Sequence, residues 1–401
     1  MKIDTQRFID RWVGVPILAL LSLVDGLRRP TPRSEPRSIL IILLSEMGSL
    51  VCAQPMILSL KQRYPGAQLS VLVLHKNRGV VELLGEFAQD RIYTLNDRDF
   101  RTFLSTTWQT LRALRRNGVD VVIDCELFAR ISAALSWASG APVRVGFDRM
   151  KQEGLYRGSI VNCPVPYNPY LHISHQFLAL AGAIESTSTP RSKAVALPER
   201  ISIERLVWPA AVLDALKARL LNDFCVLATR KLVLLYAGAG ILPIRGWPLE
   251  RFAAVAQALV ADGYAVGMIG LPEDRPLGAR IQAVVGTDAV INLAGYTASL
   301  QELVQLFHHA ELLISNDGGP GHFAALTPLP VVSLFGPETP LLYAPLCERG
   351  ESLFRRLPCA PCLSAYNHRA TACDGANYCL QAIEVADVLA AARRWLPAVS
   401  G

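Results

Sequence analysis

The strongest constraint on the fold of this chain is a rhythm. Short apolar runs rich in Val, Ile and Leu recur at 39–44, 69–74, 91–95, 119–124 and 143–147, and again at 231–237, 264–269, 289–294, 311–315 and 330–335. Segments of helical character near 50–63, 77–84, 101–117, 128–139 and 173–184 alternate with the first set. Strands that are apolar throughout, rather than on alternate residues, suit a parallel sheet covered on both faces. Two sets of similar size predict an α/β chain of two tandem Rossmann-like domains with a cleft between them. The length of 401 residues is long for a single domain, and an apolar fraction of 51% is ample for two cores. Between the sets, a Ser/Thr/Pro patch at 186–192 and a helix-like stretch from Ala210 to Leu221 interrupt the rhythm. The expected organisation is an N-terminal segment over 1–37, a first domain over 38–190, a linker over 191–229 and a second domain over 230–401.

In open parallel sheets, ligands bind beyond the carboxyl ends of the strands, so the loops after the apolar runs are where chemistry is sought. The most informative is Ser-Asn-Asp-Gly-Gly-Pro-Gly-His at 315–322, between an apolar run and a short helix expected over Phe323–Leu326. A glycine-rich loop opening onto a helix N-terminus offers free backbone N–H groups to phosphate. Asp317 is placed to cap the turn, Gly318 and Gly319 allow close approach of a ligand, and His322 falls within the first helical turn. The plainer reading is an ordinary strand–helix turn with a buried His. Upstream stand Gly238-Ala239-Gly240 and Arg245-Gly246-Trp247-Pro248, with Pro248 expected at the first helical position. Glu273 follows the next strand, and Phe-Gly-Pro-Glu-Thr-Pro spans 335–340.

This series resembles glycosyltransferase family 9, the heptosyltransferases of lipopolysaccharide core synthesis. That family shows Asp-(Ser/Thr)-Gly-x-x-His, Gly-Ala-x(n)-Lys-x-Trp-Pro and Phe-Gly-x-Thr-x-Pro. The match is specific over 231–345 and looser over 38–185. The resemblance implies the two-domain GT-B architecture, a nucleotide-sugar donor such as ADP-heptose held by the second domain, and a lipid-linked saccharide acceptor held by the first. It implies no cofactor or metal. Arg245, His322 and the loop of Gly318 and Gly319 then fall to the donor's diphosphate, Gly238 and Asp317 to the nucleotide-sugar site around it, and Glu273 to its ribose. Arg245 stands where the family has Lys; it keeps the charge and adds a bidentate fork. The plainer readings are a solvated Arg245 and a Glu273 that merely complements a helix dipole.

The first strand runs into Leu-Ser-Glu-Met-Gly-Ser at 44–49. The family pattern is Ser-Ser-x-Gly-Asp, whose Asp is the proposed general base, and here that position is Ser49. Ser has no basicity of its own at neutral pH. Glu46, on the same loop, is the nearest carboxylate, and Glu126, after the fourth strand, is the next.

The residues from Trp12 to Val24 carry no charge, with Lys2, Arg7 and Arg11 before them and Arg28, Arg29, Arg33 and Arg37 after. As a helix they span roughly 20 Å, short of a hydrocarbon core of about 30 Å. Such a stretch suits a helix lying in an anionic leaflet; the alternative is a helix packed on the protein itself. Asp4 and Asp10 do not suit a signal peptide. A net charge of +6 fits anionic small substrates or an anionic membrane, and no dense basic stripe with interleaved aromatics points to nucleic acid. Of nine Cys, five are scattered, which fits a reducing cytoplasm. Cys359, Cys362, Cys373 and Cys379 cluster with His368 among them, and are open to a structural zinc site, disulfides or plain thiols.

The expectation is therefore an inverting, metal-independent glycosyltransferase, peripheral on the cytoplasmic face of the inner membrane. A nucleotide-sugar epimerase and a catalytically silent nucleotide-sugar binder are the alternatives. The first would turn over donor without acceptor; the second would bind donor and transfer nothing.

Overall fold

The computed structural model describes residues 10–26, 35–44, 46–148, 156–240, 242–367 and 369–397. Lys2, Arg7, Arg28, Arg29, Arg33, Ser45 and His368 lie outside the described residues. Contacts divide the chain into two units, Met1–Ile201 and Ser202–Gly401.

The first unit is built on β1 (Ser38–Ile42), β2 (Gln68–Leu74), β3 (Ile92–Leu95), β4 (Val121–Asp124), β5 (Val143–Asp148) and β6 (Cys163–Pro166). They pair in parallel in the order β3-β2-β1-β4-β5-β6. The second unit carries β7 (Leu232–Tyr236), β8 (Ala265–Gly270), β9 (Val290–Ala294), β10 (Ala310–Asn316), β11 (Val331–Phe335) and β12 (Gly350–Phe354). Its order, β12-β11-β10-β7-β8-β9, repeats the same winding. Each unit is thus a doubly wound Rossmann-like sheet. The strand order reverses between β1 and β4 in one and between β7 and β10 in the other, and crevices form at such points.

Central strands are buried throughout, as β1, β7 and β11 show. Helices cover both faces of each sheet. On one face of the first, Leu114 from the helix Phe100–Asn117 and Leu135 from the helix Arg130–Ala138 close over Leu40, Ile42, Leu72 and Val122. In the second, Phe252, Val255 and Leu259 pack with Val388, Ala391 and Ala392 on Val233, Leu235, Ile314 and Val332.

Two strands were missing from the sequence reading, and both are edges. β6 is Cys-Pro-Val-Pro, and Pro is tolerated where only one side of a strand is paired. β12 is half-buried along its length, so it carries no continuous apolar signal. Helix starts also differ. Pro248 is the N-cap of the helix Leu249–Ala261 rather than its first residue. The short helix after β10 runs over Gly319–Ala324, beginning before Phe323. The stretch from Ala210 extends as a helix to Asp223 and buries Leu216 and Leu220.

The apolar N-terminal stretch is a helix over Gly14–Asp25 that docks on the first unit along one side only. Leu18 is fully buried with Ala133 and Ile160. Asp25 accepts from Trp137 Nε1 at 2.9 Å and pairs with the buried Arg144 at 2.5 Å. Asp10 accepts from the backbone N–H of Arg130 at 2.8 Å and pairs with its side chain at 3.2 Å. The other side leaves Trp12, Leu20 and Leu23 exposed. Among the described residues no helix is long and apolar enough to cross a membrane.

Candidate functional site

In the second unit, the loops after β7, β10 and β11 meet around Arg245. Asn316, at the end of β10, ties the first two together. Its side chain accepts from the backbone N–H of Trp247 at 3.1 Å and donates to the carbonyls of Ala237 and Gly238 at 3.0 and 3.1 Å. The Trp247 indole donates to the carbonyl of Ile383, which fixes the loop to the core. Tyr236 then forms a shared wall. A Cβ at Gly238 would stand 2.8 Å from its ring, and one at Gly318 would stand 3.5 Å away. Gly238 is therefore required by close approach, not by backbone conformation.

Arg245 itself sits in the short 3₁₀ turn Pro243–Arg245. Its Nη2 donates to Glu338 Oε1 at 2.9 Å, and its Nε lies 3.5 Å from Asp317 Oδ2. Arg369 reaches the same Glu338 oxygen at 3.2 Å and stacks over the Tyr343 ring. Two guanidiniums and two carboxylates are thus gathered in one small volume, and Glu338 is 1% exposed. Burial pushes the Glu338 carboxyl up to about 7, opposed by the Arg245 charge and reinforced by Asp317. Burial raises Asp317 as well, again against Arg245. Among the described residues Arg245 Nε, Asp317 Oδ2 and Glu338 Oε2 are buried without a hydrogen-bond partner. Buried polar atoms are seldom left so, and a donor beside two acceptors suits a polar ligand.

The sequence reading is corrected at Asp317. It does not cap the turn: the N-cap is Gly318, without a side-chain cap bond, and the Asp317 carboxylate faces Arg245 instead. Arg245 is not a solvated loop residue. Gly238, Asp317 and Gly318 are brought together with it, and Gly319 and His322 follow in the same helix. His322 is buried. Glu273 lies apart, exposed in the turn Pro272–Asp274 after β8; it is Asp274 that closes this turn by accepting from the backbone N–H of Leu271. Glu338 was not singled out from the sequence. The signal available was an acid in an otherwise apolar and proline-bound turn.

In the first unit, Glu46 is the N-cap residue of the helix Met47–Arg63, at the carboxyl end of β1. Ser49 Oγ donates to Glu46 Oε2 at 3.1 Å. Ser49 and Glu46 are therefore one unit, a carboxylate held by a hydroxyl. Glu126 is committed elsewhere: buried, it accepts from the backbone N–H of Leu44 at 2.6 Å. It secures the loop after β1, aided by Asn77, which donates to the Leu44 carbonyl. Below it, Asp124 is fully buried against Arg157 and Ser132.

Cys359, Cys362, Cys373 and Cys379 are not joined by a disulfide in the structure. Among the described residues, no three His, Cys, Asp or Glu side chains gather to hold a metal ion.

Two tandem doubly wound units are the architecture of the GT-B fold. A solved Escherichia coli structure, that of ADP-heptose lipopolysaccharide heptosyltransferase II, superposes with a TM-score of 0.67 at 22% identity, over 89% of this chain and 98% of that one. An E. coli heptosyltransferase solved with ADP-2-deoxy-2-fluoro heptose gives 0.62 at 16% identity, over 89% and 99%. By sequence, a Haemophilus ducreyi lipooligosaccharide heptosyltransferase 2 is 27% identical over 78% of this chain and 86% of its own length. The model for glycosyltransferase family 9 (heptosyltransferase) matches residues 107–371. The chain belongs to glycosyltransferase family 9 and is a glycosyltransferase.

Proposed function

We propose that the protein transfers heptose, with inversion, from ADP-heptose to a lipopolysaccharide-core or other lipid-linked saccharide acceptor. The observation that carries this is the half-buried Arg245, set among glycine loops at the strand-order reversal, with buried polar atoms around it that lack a hydrogen-bond partner. In this reading the acceptor hydroxyl oxygen attacks the anomeric carbon and the bond from that carbon to the diphosphate oxygen breaks. The acceptor proton passes to the Glu46 carboxylate, which Ser49 orients. The departing diphosphate's charge is met by Arg245, His322 and the backbone N–H groups of Gly318, Gly319 and Gly321 rather than by a metal ion. No cofactor takes part. Glu273, exposed after β8, is the proposed ribose contact. The protein would work at the inner face of the inner membrane, held there by the exposed side of the helix Gly14–Asp25.

The test is release of ADP from ADP-heptose, with and without an acceptor extracted from bacterial membranes. Transfer is expected only with acceptor. Arg245→Ala should slow it about 30- to 1,000-fold, the loss of about 2–4 kcal/mol from one charge-stabilising contact. Release of nucleotide without acceptor at the same rate, or unchanged kinetics in Arg245→Ala, contradicts the proposal.

A further inference from the structure

The helix Phe100–Asn117 carries a feature that donor chemistry does not use. Its inner side packs Phe103, Leu111 and Leu114 on the sheet. Yet Phe100, Leu104 and Trp108, four residues apart and so neighbours along one stripe, are 54%, 50% and 62% exposed. The same helix holds Arg101, Arg112, Arg115 and Arg116 and no acidic residue. Arg112 lies over the Trp108 ring at 5.4 Å.

This helix shares a layer with the N-terminal one. Arg115 Nε donates to the carbonyl of Ala138, at the end of the helix Arg130–Ala138, and Trp137 of that helix donates to Asp25. Ile131, near the start of the helix Arg130–Ala138, is itself exposed. Beyond Ile131 stands the docked helix with Trp12, Leu20 and Leu23 outward, where Arg11 lies over the Trp12 ring at 5.6 Å. Asp10 and Asp25 are neutralised by Arg130 and Arg144.

We infer that the exposed sides of these helices form one docking surface for anionic phospholipid, in which Phe100, Leu104 and Trp108 are a second point of insertion beside the N-terminal helix. This rests on the membrane reading given above and extends it to a second element. Exposed aromatic and aliphatic side chains enter the headgroup boundary while flanking Arg meet lipid phosphates. A second copy of the chain fits this face poorly, because a self-complementary contact sets its Arg clusters against each other.

The test is flotation of the full chain with vesicles of phosphatidylcholine, alone or with a third phosphatidylglycerol. Binding is expected to the anionic vesicles and to weaken with salt. Leu104→Glu with Trp108→Glu should lower binding about tenfold or more, as should Leu20→Glu with Leu23→Glu, while Trp108→Phe retains it. A preserved rise in melting temperature with ADP shows that each variant is folded. If the helix 100–117 variant floats like wild type while the N-terminal variant does not, the second insertion point is wrong and the membrane reading stands. If wild type binds no vesicle, both fall. Equal binding to neutral vesicles overturns the role of charge. A dimer in light scattering that Leu104→Glu with Trp108→Glu dissociates, without lipid binding, makes the face a self-interface.

Discussion

At the scale of single residues, the arrangement that governs behaviour is one buried carboxylate serving two guanidiniums. Glu338 has an ordinary value of 4.5 and a folded value of about 7. Across that window the folded protein keeps a proton that the unfolded chain releases. Its contribution to stability therefore falls as pH rises from 4.5 to about 7 and is level above. Glu338→Gln can still accept from Arg245 but cannot ionise. The stability of wild type relative to this variant should drop by up to about 3 kcal/mol between about pH 5 and about pH 8, read from melting curves of both. A constant difference refutes the assignment. Glu46→Gln should cut transfer about 10²- to 10⁴-fold while leaving the donor's KM near wild type, and Ser49→Asp should restore part of it. Wild-type turnover in Glu46→Gln places the base elsewhere. Much of this site was readable from the chain. The loop at 315–322 and Arg245 announce themselves by glycine and charge at a strand end. Glu338 does not, because its meaning comes from burial and from Arg369 beyond it in sequence. Asp317 looked like a cap because the cap rule is local, whereas its partner lies across the crevice.

At the scale of elements, ten of the twelve strands among the described residues were legible as apolar runs, the edge strands β3 and β9 among them. β6 and β12 were not, since an edge strand needs neither an apolar run nor a full set of N–H donors. The N-terminal helix shows the same limit. Its apolar run was plain, but Asp10 and Asp25 find Arg130 and Arg144 more than a hundred residues away, and local pattern carries no such information. The docking makes a sharp prediction. Leu18→Ala should destabilise the first unit by about 2–5 kcal/mol through an internal cavity, whereas Leu20→Ala, on the exposed side, should stay within about 0.5 kcal/mol. Equal effects in thermal melts would show that the helix does not sit as described.

At the scale of the whole molecule, the two units repeat one winding, and the proposed function divides its chemistry between them: the diphosphate would be held by the second unit, and the Glu46–Ser49 pair lies in the first. Nucleotide binding should therefore stabilise the protein through the second unit alone. ADP at about a hundred times its Kd should add about 2.7 kcal/mol. Arg245→Ala should lose most of that gain and Glu46→Gln none of it, as measured by ADP-dependent melting. Loss of the gain in Glu46→Gln would mean that the first unit also holds the nucleotide.

The Tyr236 wall links two loops that the sequence keeps some eighty residues apart. A methyl at Gly238 must drive the ring aside, and the space beyond it is the space that Gly318 leaves open. An alanine at Gly318 alone meets only ordinary contact distances on that side. The two positions therefore cannot drift independently: the penalty of Gly238→Ala depends on what stands at 318, and the double substitution should cost more than the two singles combined. Sequence change in one loop is thereby constrained by the history of the other, a form of epistasis transmitted by a single aromatic ring.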